Sequence, residues 1–204
     1  MLKILGRKTS SNVQKVLWCC EEIGLPFERE DVGGSFGKNN TPDYLALNPN
    51  GLVPTIDDNG FILWESNSCV RYLASQYGKG KLWPADPKVA ASASRWMDWQ
   101  LSTVNGPLSP LFRAMLKEPK DSIPAAELDA SAKRCGEVWA MLDKQLAKTP
   151  FVAGAELTVG DIALGNAIHR WYKFPIERPA LQHLRAWYDR LCSRPAYQKH
   201  IASL

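Results

Sequence analysis

Two short segments of the sequence place polar side chains where a helix begins, and helix starts can bind anions. The first is residues 9–12, Thr-Ser-Ser-Asn, directly before apolar residues that recur at helical spacing. The second is Glu65 with Ser66, before another apolar-periodic stretch. A hydroxyl in such a place can donate to an anion that the helix N-terminus also attracts. It can equally be an ordinary helix cap, and each segment by itself leaves both interpretations open.

The first 78 residues alternate between strand-like and helical spacing, which indicates how these segments are held. Gly24 and Pro26 end the first helix, and Asn59-Gly60 is a strong signal for a two-residue hairpin turn. The predicted order is a strand over 2–6, a helix from Val13 to Ile23, a strand over 27–32, a Gly- and Asn-rich loop over 33–41, a short helix over 42–47, strands over 52–56 and 61–64, and a helix from Ser66 to Tyr77. The first domain therefore reads βαβ, α, ββα.

Beyond residue 78 the pattern changes, and no convincing strand appears. Residues 79–87 are rich in Gly, Lys and Pro and predict a linker. Helical spacing then recurs over 89–116, 125–146, 159–172, 181–192 and 196–201. We therefore predict α/β plus all-α architecture, with one domain over 1–78 and an all-helical bundle over 88–204.

Composition limits the kinds of function the chain can have. With 204 residues, 45% of them hydrophobic and 23% charged, it is expected to be globular, and no apolar run is long enough to cross a bilayer. The net charge is only +4, and the basic residues are interspersed with acidic ones, so nucleic acid is not an expected partner. The five cysteines and three histidines show no metal-ligand spacing, which favours reduced thiols, no metal and a cytoplasmic protein. The short apolar stretch near Met1 does not resemble a signal peptide.

The order of elements and three local motifs resemble the cytosolic glutathione transferases, in particular bacterial serine-type members of theta-, beta- or nu-like character. The motifs are Gly6 to Val16 with its Ser-x-Asn spacing, Asn48 to Ile56 with Val53-Pro54, and Trp64 to Ser68 with Glu65-Ser66. The resemblance covers the whole chain. It implies that the first domain has a thioredoxin-like fold and that glutathione is the co-substrate.

In that family a serine hydroxyl donates a hydrogen bond to the sulfur of glutathione, and the thiolate attacks the second substrate. The resemblance gives this role to Ser10, with Asn12 as its orienting partner, although Thr9 and Ser11 also carry hydroxyls nearby. A thiol with a pKa of about 8.5 needs about 2.7 kcal/mol of preferential thiolate stabilisation to lose two pKa units. A donated hydrogen bond and a helix N-terminus can each supply part of it.

The remaining glutathione-binding residues also follow from the resemblance. A Val-Pro pair alone predicts a trans bond, because only about 5–6% of X-Pro bonds are cis. In the family the proline matching Pro54 is cis, and the backbone of the residue matching Val53 pairs with the cysteinyl amide of the ligand. Glu65 would bind the γ-glutamyl ammonium and Ser66 its carboxylate. The glycyl carboxylate is expected at Asn39, with Lys38 as the alternative.

The second substrate is expected to be a small hydrophobic electrophile in a site between the two domains. Its wall would come from the first long helix of the second domain: Arg95, Trp96, Trp99, Asn105, Leu108, Leu111 and Phe112. The resemblance further implies a homodimer. Two other functions stay open from the sequence, namely glutathione-dependent disulfide or peroxide reduction, and a non-catalytic binding module. Thr158 and Asp161 are assigned to stability as a capping box.

Overall fold

The computed structural model of the chain describes residues 1–116 and 123–202. Its strands and helices follow the predicted order from the first element to the last. They are β1 Leu2–Leu5, α1 Ser11–Ile23, β2 Phe27–Glu30, α2 Pro42–Leu47, β3 Thr55–Asp58, β4 Phe61–Trp64, α3 Ser66–Tyr77, α4 Pro87–Trp99, α5 Asn105–Leu116, α6 Ala125–Leu146, α7 Val159–Lys173, α8 Gln182–Cys192 and α9 Pro195–Tyr197. The βαβ, α, ββα order and the helical second part are confirmed.

The four strands form one mixed sheet in the order β2-β1-β3-β4. Strand β1 runs parallel to β2 and antiparallel to β3, and β3 pairs with β4 as a hairpin. The hairpin turn is the predicted Asn59-Gly60, where both residues have positive φ, as a type I′ turn requires. The sheet is the scaffold on which the three motif segments are placed.

Strand β3 begins later than its sequence pattern predicts, at Thr55 instead of Leu52. The carbonyl of Leu52 accepts hydrogen bonds from the Tyr44 hydroxyl over 2.6 Å and from the Asn48 amide over 2.9 Å. Side chains thus take the place of a neighbouring strand at this point. Residues 52–54 leave the ladder and form a separate extended segment.

The chain divides into two compact units, Met1–Ala85 together with the segment that begins at Arg194, and Asp86–Ser193. The predicted boundaries at 78 and 88 fall near the first division, but the sequence put the last residues into the helical domain. In the structure the segment from Arg194 packs on α1 instead, and residues 203–204 lie outside the described chain. The Arg194 guanidinium binds both oxygens of Glu22, and the Tyr197 ring meets Trp18 edge-on at 4.9 Å.

The helical unit departs from a regular pattern in its first long helix. The predicted single helix over 89–116 is interrupted by a π-helical turn, Gln100–Val104, between α4 and α5. At the start of α7, the buried Asp161 carboxylate accepts four hydrogen bonds, from the N–H and hydroxyl of Thr158, the Val152 N–H and the Trp187 indole. This supports the stability role assigned to the Thr158 and Asp161 pair. In the described ranges, no helix has both the length and the apolar character that crossing a bilayer requires.

Candidate active site

The register of the sheet brings the predicted site segments to one edge. Leu5 lies opposite Thr55 and Glu30, and Thr55 lies opposite Trp64. Adjacent strands are about 4.8 Å apart, so the turn after β1, the segment before β3, the turn after β4 and the loop after β2 emerge within a few strand widths. The edge beyond the end of β1 is also where open α/β sheets bind ligands.

A glycine allows two of these segments to approach each other. A Cβ built on Gly6 would lie 2.5 Å from a methyl group of Val13 and 3.3 Å from the Cβ of Val53. A side chain at residue 6 would therefore separate the start of α1 from the Val53 segment. The Val53 side chain also packs against Gly33, whose positive φ favours glycine. Val53 is thus held by its side chain, while its backbone remains available to a ligand.

Ser10 occupies the N-cap position of α1, but its hydroxyl does not cap the helix. Among the described residues, the Ser10 hydroxyl has no hydrogen-bond partner, and the side chain is partly exposed. The neighbouring Thr9 hydroxyl accepts a hydrogen bond from Arg7 over 2.7 Å. Asn12 is exposed, and its side chain makes no hydrogen bond to Ser10. Ser10 therefore keeps a hydroxyl for another partner, whereas the expected orienting contact from Asn12 is not formed here.

The Val53-Pro54 bond is cis, as the resemblance implies. Neither the N–H nor the C=O of Val53 has a hydrogen-bond partner within the part of the chain that the structure describes. The segment is fixed from its other side, because the Tyr44 hydroxyl and the Asn48 amide also contact the Thr55 hydroxyl, over 2.8 and 3.1 Å. A backbone donor and acceptor are thus presented on a rigid segment.

Glu65 and Ser66 lie where β4 passes into α3, and the backbone there is unusual. Glu65 has φ 68 and ψ 106, a conformation that few non-glycine residues adopt. Ser66 is the first residue of α3 and is 5% exposed, so its N–H is one of the groups at the helix start that lack an intrahelical partner. Its hydroxyl bonds to no other described residue. An exposed carboxylate therefore stands beside an anion-attracting helix start.

Asn39 and Lys38, the two residues expected at the glycyl carboxylate, are both engaged in the structure. The Asn39 amide donates to the carbonyl of Gly51 over 2.8 Å, which ties the loop after β2 to the segment before Val53. The Lys38 ammonium pairs with Glu30 over 2.6 Å on the surface. Asn39 thus contacts the segment that leads to Val53, whereas Lys38 contacts strand β2.

Three residues for which the sequence predicts no role support the site through hydrogen bonds without belonging to the predicted set. Tyr44 and Asn48 fix the Val53 segment, and Lys15 is buried in α1 with its ammonium 2.9 Å from the Asn67 amide oxygen. A lysine on a helix is usually exposed, so its burial could not be read from the sequence. For Tyr44, the spacing of apolar residues in α2 indicates a buried side chain, but it does not identify the groups to which the hydroxyl bonds.

The residues expected to line a second-substrate site belong to the helical unit. Arg95, Trp96 and Trp99 line a cavity of about 660 Å³ whose other wall includes Met141 and Lys144 of α6. Leu108 and Leu111 are buried, Arg170 lies over the ring of Phe112, and Asn105 contacts Gln100. The set thus divides between a cavity wall, packed positions and, for Asn105, the exposed surface.

The chain's own cysteines are not arranged for catalysis. Cys19 and Cys20 are buried in α1, and burial raises the pKa of the Cys20 thiol to about 12 and that of Cys19 well above its ordinary value.

His169 is buried against the Tyr188 hydroxyl, and His200 contacts Glu21. The described residues include no cluster of acidic, Cys or His side chains suited to a metal ion.

Family models match both parts of the chain. Residues 9–76 match the model described as "Glutathione S-transferase, N-terminal domain", and residues 125–190 match "Glutathione S-transferase, C-terminal domain". The matches include the turn before α1, the Val53 segment and the start of α3. They also include α6, α7 and most of α8.

Named relatives and solved structures are similar over nearly the whole length. Glutathione S-transferase GstB of Escherichia coli (strain K12) is 41% identical, with 98% of each chain covered. Glutathione S-transferase 3 of Zea mays is 32% identical over 100% of this chain and 94% of its own. The theta class glutathione S-transferase of Xanthomonas axonopodis pv. citri, solved with glutathione bound, is 48% identical with a TM-score of 0.93, covering 98% and 96%.

Proposed function

The chain belongs to the glutathione S-transferase family and is a transferase that uses glutathione as co-substrate, and we propose that Ser10 activates its thiol. The observation that carries this proposal is that the Ser10 hydroxyl, at the start of α1, has no hydrogen-bond partner among the described residues. The hydroxyl donates a hydrogen bond to the sulfur, and the N-terminus of α1 adds a favourable field for negative charge. The thiol proton leaves to solvent, and the thiolate is the nucleophile.

The rest of glutathione is held by the other three segments at the same edge. The unpaired N–H and C=O of Val53, beside Pro54, pair with the cysteinyl amide in the manner of an added strand. Ser66 and the start of α3 bind the γ-glutamyl carboxylate, and Glu65 binds its ammonium. Asn39 binds the glycyl carboxylate. The polarity of each group on this chain matches the part of the tripeptide that it would meet.

Asn12 keeps a secondary role in this proposal. Its exposed side chain lies in the first turn of α1, two residues after Ser10. It makes no hydrogen bond to the Ser10 hydroxyl. We therefore expect replacement of Asn12 to affect catalysis less than replacement of Ser10.

The second substrate is proposed to be a small hydrophobic electrophile, and the reaction to be conjugation. Conjugation needs a nucleophile from the ligand and none from the protein, which fits a site whose nearest cysteines along the chain, Cys19 and Cys20, are buried with raised pKa values. We also propose that the protein works as a homodimer in the cytoplasm, as the family resemblance implies.

Ultraviolet titration of the bound thiolate tests the role of Ser10. In the parent protein, bound glutathione should ionise at lower pH than free glutathione. Ser10→Ala should raise the pKa of the bound thiol and lower kcat by at least tenfold, while Ser11→Ala and Thr9→Ala should leave both nearly unchanged. An unaltered titration in Ser10→Ala would refute the assignment. Comparing an aromatic halide with a mixed glutathione disulfide as second substrate tests conjugation against reduction.

A further inference from the structure

Lys15 is a buried cation without a carboxylate partner of its own. It is 2% exposed, in the second turn of α1, and its ammonium donates to the amide oxygen of Asn67 over 2.9 Å. No ion pair involves it in the part of the chain that the structure describes. Burying an ammonium group is costly unless an opposite charge compensates it, so such a group usually has a role.

The position of Lys15 relates it to the proposed glutamyl subsite. Asn67 directly follows Ser66 in the first turn of α3, so the ammonium lies behind the helix start that would receive a carboxylate. The charged and titratable groups that influence Lys15 electrostatically are Glu65 and the Cys69 thiol, both from the same turn of the chain. Burial lowers the pKa of Lys15 to about 8, so the ammonium is still mostly protonated at pH 7.

We propose that Lys15 is the cationic counterpart of the γ-glutamyl carboxylate and acts as a positioning residue through Asn67. Lys15 and Glu65 then form a pair of opposite charges, one buried and one exposed, that is complementary to the carboxylate and ammonium of a free amino-acid end. This inference rests on the proposed function of the Glu65 and Ser66 subsite. It accounts for a lysine at a buried position where an apolar residue would pack at lower cost.

Calorimetric binding of two ligands tests the charge directly. The ligands are S-methylglutathione, which has no thiol proton, and its analogue in which 4-aminobutyryl replaces γ-glutamyl, so that only the carboxylate is missing. Lys15→Met should weaken S-methylglutathione about tenfold, equivalent to about 1.4 kcal/mol. Affinity for the analogue should change less than twofold. Equal weakening of both ligands, or none for either, would overturn the inference.

Two further variants separate charge from packing and from hydrogen bonding. Lys15→Gln can still donate to Asn67 but carries no charge, so it should lose affinity for S-methylglutathione as Lys15→Met does. Retained affinity in Lys15→Gln would contradict the charge role, and this variant also decides the matter if Lys15→Met does not fold. Cys19→Ala, a buried change on the same helix, should lower the melting temperature without discriminating between the ligands.

The same experiment keeps the two proposals distinct. If the parent protein does not bind S-methylglutathione, the proposed glutathione subsites themselves are wrong. If the parent binds it and prefers it to the analogue but the lysine variants are unaffected, only the role of Lys15 is wrong.

Discussion

The Tyr44 hydroxyl donates to the Leu52 carbonyl over 2.6 Å and lies 2.8 Å from the Thr55 hydroxyl, so one side chain grips both ends of the Val53-Pro54 segment. Tyr44→Phe removes both contacts and leaves the Leu52 carbonyl with one donor fewer, the Asn48 amide remaining. We expect KM for glutathione to rise about threefold to tenfold, since a lost hydrogen bond is worth about 1 kcal/mol. The pKa of the bound thiol should not change, because Ser10 is untouched. Steady-state kinetics and thiolate titration check this together, and a shifted titration would contradict it.

The left-handed backbone at Glu65 predicts a conflict between stability and binding. A non-glycine residue at such φ and ψ costs about 1–3 kcal/mol, and glycine adopts positive φ freely. Glu65→Gly should therefore raise the free energy of unfolding by about 1 kcal/mol, after the added freedom of the unfolded chain is subtracted. It should also weaken glutathione binding. Glu65→Gln is the matched control, with unchanged stability and intermediate affinity. A loss of stability in Glu65→Gly would show that the backbone is not strained.

The four hydrogen bonds to Asp161 make it a stability residue. Burial raises the pKa of this carboxyl group, although the four donors act in the opposite direction. Asp161→Asn places an amide NH₂ where two donors converge, so we expect a loss of about 2–4 kcal/mol in unfolding free energy. Asp129→Asn, on the exposed side of α6, should cost nothing measurable. Urea unfolding measures both. At temperatures where Asp161→Asn is folded, its affinity for S-methylglutathione should equal that of the parent.

Lys15 should make the stability of the protein depend on pH in the alkaline range. Its pKa falls from 10.5 to about 8 on folding, so below pH 8 the buried ammonium costs about 3 kcal/mol. Between pH 8 and 10.5 the unfolded chain binds the extra proton, so stability rises with pH and the cost disappears. Lys15→Met should thus be more stable than the parent at pH 7, with the difference shrinking towards pH 10. Urea unfolding at both pH values measures this difference. A difference in unfolding free energy that is the same at pH 7 and pH 10 would contradict the prediction.

Most elements of the first unit could be predicted because punctuating residues coincide with their ends. Gly24 ends α1 in the left-handed conformation, and Asn59 with Gly60 fixes the hairpin register. The start of β3 could not be predicted, because Leu52 has strand-like neighbours and only the side chains of Tyr44 and Asn48 remove it from the sheet. Those contacts connect residues from different elements.

Residues proposed to bind glutathione directly were easier to single out from the sequence than those that support them. Ser10, Val53 and Glu65 stand in motifs whose spacing is local. Lys15 has no such motif, since its burial depends on the packing of α1 against α3. The partner of the last segment was equally hidden: helical spacing shows that Tyr197 faces inward, but Trp18 is nearly the whole chain away.

The return of the segment from Arg194 to α1 makes the first unit discontinuous along the chain. During synthesis, the residues up to Ala85 leave the ribosome first, and Arg194 and Tyr197 follow only after the entire helical unit. Domains that are continuous can fold in the order in which they are made. Here the first unit keeps one face of Trp18 uncovered until Tyr197 has been made. The helical unit therefore has all its residues before the unit that precedes it does.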